Sequence, residues 1–501
     1  MKELLLSLIL FALSHSMCIG QVGFSKTYRY EDTRHTEFFS ILNDNDTLVI
    51  HGLAIDGSGN QGLLLTKIDT FGNVLFQRFY GDSVLSTPFL AEDGYDLIKT
   101  QEGGYIVTGE LNFVSATVKL SENGDIDLIT NYPINTEEIV SFYHEICTLE
   151  DGFMLGGPKQ MRADFKADIF ISQLNKNGDT LWEKRYGEIG IWDLMGEMLV
   201  LDDNNIVVGG WKGGNAWVQP WFFSIDNQGE ILWEWLGEKS KKAGVVDDFV
   251  LTSDGEIIYL NTFIDTVVLI GEPVGFTRGR LVKLDSNRNE VWSTVVGKAT
   301  FESNDLTDLV MTSEGDFVAT GKYAPNEDGA SGTALVNWTV KFSSEGEVLW
   351  ERFDSTIWTP DRGVWNDPSG ITLLSSGSIV ICGTAYRLSA PDNGELGYII
   401  KLDKNGCMEE GCELGPITRV DVPFGQNLEV LIYPNPASGS VTVEFPGRGD
   451  LILFDMQGRL MLTVSEAIDQ VSLDMSTLLP GTYFVRIVTD AGWTVRTIAK
   501  E

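Results

Sequence analysis

One phrase recurs along most of this chain, and it dictates an array of similar β units. An apolar stretch runs into a turn rich in Asp, Asn or Ser, the turn holds a glycine, and an aromatic residue follows four positions later. Gly72 leads to Phe76, Gly178 to Trp182, Gly229 to Trp233 and Gly346 to Trp350. Weaker copies have Gly124 with Leu128 in the aromatic slot, Arg288 in the glycine slot before Trp292, and Gly406 with no aromatic. The slots at 72, 124, 178, 229, 288, 346 and 406 lie 51 to 60 residues apart. A glycine there suits a hairpin turn, because it takes a positive φ without a Cβ clash.

An earlier hairpin precedes each of these turns, as at Gly103-Gly104, Asp151-Gly152 and Glu314-Gly315. Two hairpins make four strands per unit. With no helical period between units, the array predicts an all-β, seven-bladed β-propeller over 21–412. An open β solenoid is the alternative, although its units are usually shorter. Phe24-Ser25-Lys26-Thr27-Tyr28 repeats the pattern of Trp182-Glu183-Lys184-Arg185-Tyr186, an outer strand, and the seventh unit lacks such a strand. Residues 24–30 are therefore expected to supply the outer strand of the last blade and close the ring. The Asp-x-x-Gly-x-x-x-Trp phrase resembles the blade motifs of quinoprotein-like propellers and related bacterial surface propellers. That resemblance implies fold and says little about function, since the tryptophan packs between blades.

The N-terminus has Lys2, an apolar run from Leu4 to Leu13, and small residues up to Gly20. This predicts a signal peptide over 1–20, too short an apolar run to cross a bilayer, and no other transmembrane segment. Cys407 and Cys412 share a glycine-rich turn and are expected to form a disulfide in an oxidising compartment, whereas Cys147 and Cys382 sit in apolar strands. Lys+Arg number 36 against 72 Asp+Glu, a formal charge of −36. So acidic a chain repels phosphate backbones, which argues against nucleic acid as a partner.

A linker over 413–427 precedes a different pattern over 428–501. Short alternating strands in this span predict a small Ig-like β-sandwich. The span carries Tyr433-Pro434-Asn435-Pro436, then Asp455 with Gly458 and Arg459, then Pro480-Gly481-Thr482-Tyr483 close to the end. In these ordered motifs it resembles the type IX secretion (Por) sorting domains of Bacteroidetes-type bacteria; an adhesive Ig-like module is the alternative. The resemblance implies recognition by the type IX secretion machinery, removal of the tail, and release or attachment at the outer-membrane surface.

No catalytic residue set stands out. No Gly-x-Ser-x-Gly elbow is present, and His35, His51 and His144 share no metal-binding spacing, so no metal site is predicted from them. Asp56-Gly57-Ser58-Gly59-Asn60 reads as a polar turn rather than a Ca²⁺ loop, since the downstream bidentate acid is missing. Counting back to the start of the innermost strand of each unit reaches Asp96, His144, Glu197 and Asp247, with Asp308 and Asp367 beside the remaining positions. These residues are candidates to ring one mouth of the central channel, where a polar ligand or Ca²⁺ would sit; a solvated strand entrance is the bland alternative. Two functions follow as expectations. One is a non-catalytic extracellular module that binds glycan or protein. The other is an extracellular hydrolase, lyase or quinoprotein-like enzyme using the acidic mouth.

Overall fold

The computed structural model describes residues 22–31, 35–81, 89–90, 96–111, 114–135, 137–141, 143–162, 165–188, 190–201, 205–214, 217–240, 244–269, 272–297, 304–323, 335–356, 364–387, 394–409, 412, 414, 430–455, 460–489 and 492–500. The expected signal peptide over 1–20, most of the linker over 413–427, and Gly458 and Arg459 lie outside them. The described residues form an all-β structure that divides into two compact units, the repeat region up to Pro416 and the tail from Ile417. Among them no helix is long and apolar enough to cross a membrane.

In the repeat region the chain folds into successive sheets of the propeller-blade kind, in which most strands pair antiparallel with the next in sequence. The unit with strands Trp192–Val200, Ile206–Gly214, Trp217–Ile225 and Ile231–Leu236 is typical. Its second and third strands are buried on both faces, because neighbouring sheets cover them. Its outer strand alternates, with Trp233 and Trp235 half-buried and Glu234 and Leu236 exposed. Ile231, at the strand's start, is exposed, where a β-bulge between Ser224 and Ile225 shifts the register.

The recurring turn has a double purpose. Within its own unit, Asp226 Oδ1 accepts from the backbone N–H groups of Gln228 and Glu230, while Gly229 takes a φ of +77°. Against the preceding unit, the same glycine lets an aromatic residue approach. A Cβ on Gly229 would lie 2.7 Å from the Trp182 ring, and Tyr186 donates its hydroxyl to the Gly229 carbonyl at 2.8 Å. Trp292 and Trp350 press on Gly346 and Gly406 in the same way. Where Arg288 replaces the glycine, it keeps a φ of +69° and lays its guanidinium over Trp233 at 4.1 Å.

The first and last units meet. Phe38, Ile50 and Leu64 of the first share one core with Val380, Cys382 and Ile399 of the last. Phe24–Tyr28 pairs antiparallel with Gly394–Leu402, and Tyr28 donates its hydroxyl to the Gly72 carbonyl of the first unit at 3.0 Å. An open solenoid would hold these ends apart. The Cys407–Cys412 disulfide is formed, with Cys407 fully buried. Cys382 is buried and Cys147 only partly so.

The tail is a small antiparallel β-domain of Ig-like type. Its strands are Leu431–Tyr433, Ser440–Asp455, Leu460–Asp474, Gly481–Thr489 and Gly492–Lys500, around a core that includes Val443, Leu453, Val485 and Ile498. Tyr433-Pro434 and Asn435-Pro436 are both cis. Asn435 clasps the final strand, donating to the Thr497 carbonyl and accepting from Ala499 N–H, each at 2.8 Å. Tyr483 donates its hydroxyl to the Leu479 carbonyl at 2.8 Å.

Candidate functional site

The first strand of every unit in the repeat region contributes to one cavity of about 420 Å³. The local reason is a shared register. Each first strand places an apolar residue between adjoining sheets: Ile41, Leu97, Ile146, Met198, Phe249, Leu309 and Ile371 are all buried. The residue before each of them is Ser40, Asp96, Glu145, Glu197, Asp248, Asp308 or Gly370, and all seven line the cavity. Bulges at Phe38/Ser40, Met195/Glu197, Val246/Phe249, Leu306/Asp308 and Pro368/Gly370 break the ladder at this level. A bulge re-aims the local side chains, and at Glu197, Asp248 and Asp308 it accompanies an acid turned inward.

Four of these five acids are held from the wall side by backbone donors. Asp248 Oδ1 accepts from Phe249 N–H at 2.5 Å, and its Oδ2 accepts from Leu309 N–H of the next unit at 2.6 Å. Asp308 accepts likewise from Leu309 at 2.8 Å and from Ile371 at 2.7 Å. Asp96 accepts from Leu97 at 2.6 Å and more distantly from Ile146 at 3.4 Å. Glu197 accepts from Met198 at 3.0 Å. Each Asp thus bridges its own strand to the next one.

Enclosure dominates the electrostatics. Burial, opposed by the bonds from Leu97 and Ile146, lifts the Asp96 carboxyl to about 6. Burial and then the neighbouring acids push Glu145, Glu197 and Asp248 well above the usual carboxylate range, and burial raises Asp308. Asp247, one step towards the strand start, is lifted to about 7 by burial, against the hydrogen bond from Thr262. Burial drives the His144 imidazole down to about 4, against the pull of Asp96. Lys322 faces Asp367 at 3.5 Å on the cavity wall.

Of the residues singled out from sequence, Asp96, Glu197, Asp247, Asp308 and Asp367 line the cavity. His144 does not. Its backbone ties into the preceding unit, accepting from Asp96 N–H at 3.1 Å, and its ring contacts Glu145 at 3.1 Å, while Glu145 takes the place on the wall. Sequence reasoning missed Glu145 and Asp248 by one residue. The signal was present: counting seven back from Gly103, Gly152, Gly255 and Gly315 lands on Asp96, Glu145, Asp248 and Asp308. It also missed Trp211, a half-buried indole on the cavity wall from a second strand, and Lys322.

Among the described residues no group of three or more His, Cys, Asp or Glu side chains is set to hold a metal ion. The Asp56 turn is filled from within, by the N–H groups of Ser58 and Asn60 and the Asn60 amide.

No curated protein matches the sequence at a significant level. Among solved structures, the chain is similar to PorZ, a surface component of the type IX secretion system of Porphyromonas gingivalis, at 12% identity and a TM-score of 0.39, covering 92% of this chain and 59% of PorZ. It is similar to polysaccharide lyase Uly1 at 8% identity and a TM-score of 0.41, covering 79% and 95%. It is similar to the NanB sialidase of Streptococcus pneumoniae at 12% identity and a TM-score of 0.38, covering 79% and 72%. Likeness this remote carries nothing about activity. The tail is a different matter: residues 431–501 match the secretion system C-terminal sorting domain and are such a domain.

Proposed function

We propose that this is a protein exported by type IX secretion, whose seven-bladed propeller binds an extracellular glycan or protein in its central cavity without catalysing a reaction. In this reading residues 1–20 are a cleaved signal peptide, 21–412 the propeller, 413–427 a linker and 428–501 the sorting domain. The mature protein works in the medium or attached to the outer-membrane surface. The observation that carries the binding reading is the way the wall acids are held. Asp248 and Asp308 have both carboxylate oxygens engaged by backbone N–H groups of two adjacent strands. Groups fixed this way make a rigid polar wall, and a closed ring of sheets presents such a wall well.

A second reading is an enzyme that uses the cavity acids. It rests on Asp96 and Asp247, whose carboxyls near 6 and 7 fall where a general acid or base operates at neutral pH. A glycan and protein array on the purified protein, followed by product analysis of every hit, separates the two. Retained, unmodified ligand supports binding. Turnover that disappears in Asp96→Asn and Asp247→Asn supports the enzyme and removes the first reading.

A further inference from the structure

We propose that the long hairpin of the unit beginning with Val245–Leu251 is a docking arm, to whose open edge a basic, extended segment of a partner protein adds as a strand. This surface is separate from the cavity, which no described residue of 263–278 lines. The hairpin strands Ile257–Leu269 and Glu272–Leu284 pair from Ile257↔Leu284 to Leu269↔Glu272. The strands on either side stop short of its tip. Val245–Leu251 reaches only to Thr262, and Glu290–Val296 only to Gly279. From Phe263↔Arg278 onward the hairpin is a two-stranded ribbon, and among the described residues no third strand pairs with it. Such a ribbon is marginal in water by itself.

The two edges of the ribbon differ. Antiparallel pairing sends the N–H and C=O of every second residue outward. Thr262 N–H faces outward, since it donates to Asp247 at 2.9 Å, so the backbone groups of Ile264, Thr266 and Val268 face outward after it. Opposite them stand Thr277, Gly275 and Pro273. That second edge is blocked: the Asn304 amide donates to the Thr277 carbonyl at 3.2 Å, and Pro273 has no N–H. The first edge carries no such block. Its run Phe263-Ile264-Asp265-Thr266-Val267-Val268-Leu269 is apolar or β-branched apart from Asp265, has no Lys or Pro to deter pairing, and exposes Ile264. A row of outward N–H and C=O groups among such residues fits an extended peptide, which pairs the backbone and covers the apolar faces. Lipid would leave the same groups unpaired. Charge narrows the partner: a chain of formal charge −36 attracts a basic segment and repels a second copy of itself.

The test is fluorescence anisotropy on the purified full-length protein with a labelled heptapeptide, Lys-Val-Thr-Val-Thr-Val-Lys, its counterpart with Glu at both ends, and the first peptide N-methylated throughout. The basic peptide is expected to bind. N-methylation should weaken it at least about tenfold, and the Glu-ended peptide should bind about threefold more weakly at low salt. Thr266→Pro removes one outward N–H and leaves the pairing with Glu272–Leu284 in place, so it should weaken binding about tenfold, while Thr266→Ser, which keeps that N–H, stays within about twofold. If Thr266→Pro lowers the melting temperature, Val268→Lys, a charge set on the same edge, replaces it with the same expected loss. No binding, binding that survives full N-methylation, or binding indifferent to these edge substitutions overturns strand addition. Preference for the Glu-ended peptide overturns the basic partner. A dimer in light scattering that Thr266→Pro dissociates assigns the edge to a second copy, and adsorption to phosphatidylethanolamine–phosphatidylglycerol vesicles lost in the same variant assigns it to lipid; either overturns the proposal.

Discussion

Replacing Asp247 by Asn is expected to stabilise the protein increasingly as the pH rises above about 4, and not below it. Asp247 lies on the cavity wall, and its carboxyl titrates at about 7 in the folded chain against 3.8 for an unperturbed group. The folded value is the higher one, so the folded state holds the extra proton between about pH 4 and pH 7. Stability from this group is therefore complete below pH 4 and is lost as the pH rises through 7. A difference of about three pH units corresponds to about 4 kcal/mol. Part of the side chain opens to the cavity, where water screens its charge, so about 2 kcal/mol is the expected loss at pH 8. Asparagine has the same shape, keeps an oxygen to accept from Thr262 N–H at 2.9 Å, and cannot ionise. Thermal unfolding of wild type and Asp247→Asn, measured from pH 4 to pH 8, should give equal melting temperatures at pH 4. The variant should sit about 3 °C higher at pH 8. A gap independent of pH, or a variant less stable at pH 8, refutes the assignment of Asp247 to an enclosed, charge-poor wall.

The recurring turn gives a contrast within one protein. Gly229→Ala forces a Cβ to within 2.7 Å of Trp182 at a φ of +77°, and should cost about 2–3 kcal/mol in denaturant unfolding. Arg288→Gly at the equivalent slot relieves a left-handed residue and gives up the stack on Trp233, so the two should nearly cancel, within about 1 kcal/mol. Tyr28→Phe removes the hydroxyl bond to the Gly72 carbonyl and should cost about 1 kcal/mol, and deleting Phe24–Tyr28 should expose strand Gly394–Leu402 to proteases.

The blade pattern was legible because one turn had to satisfy two demands at once. Gly178, Gly229, Gly346 and Gly406 all need a positive φ, and each also leaves room for a side chain of the preceding unit, Thr130 at Gly178 and Trp182, Trp292 and Trp350 at the others. Such double constraint leaves a strong mark on sequence. The pairing of Phe24–Tyr28 with the last unit was legible for the same reason, through Tyr28 and its likeness to Tyr186. The wall acids were legible only to within a residue. Gly103 and Gly104 adjoin, and taking the second as the turn glycine shifts the count by one, while the bulges hide the true inward position from a period-two pattern. Trp211 left no usable signal. The chain has 13 tryptophans, several of them in this same unit, and nothing local distinguishes one on a cavity wall from one between sheets.

The measurement that bears most directly on the central claim is backbone hydrogen exchange, in the presence and absence of the tightest ligand found by array. The account predicts new protection concentrated in the first strands, at Val245–Leu251, Asn304–Met311 and Val364–Leu373, whose residues line the cavity. Outer strands such as Ile231–Leu236 should be unchanged. Protection confined to the outer strands or to the sorting domain, with the first strands unaltered, contradicts a cavity-bound ligand.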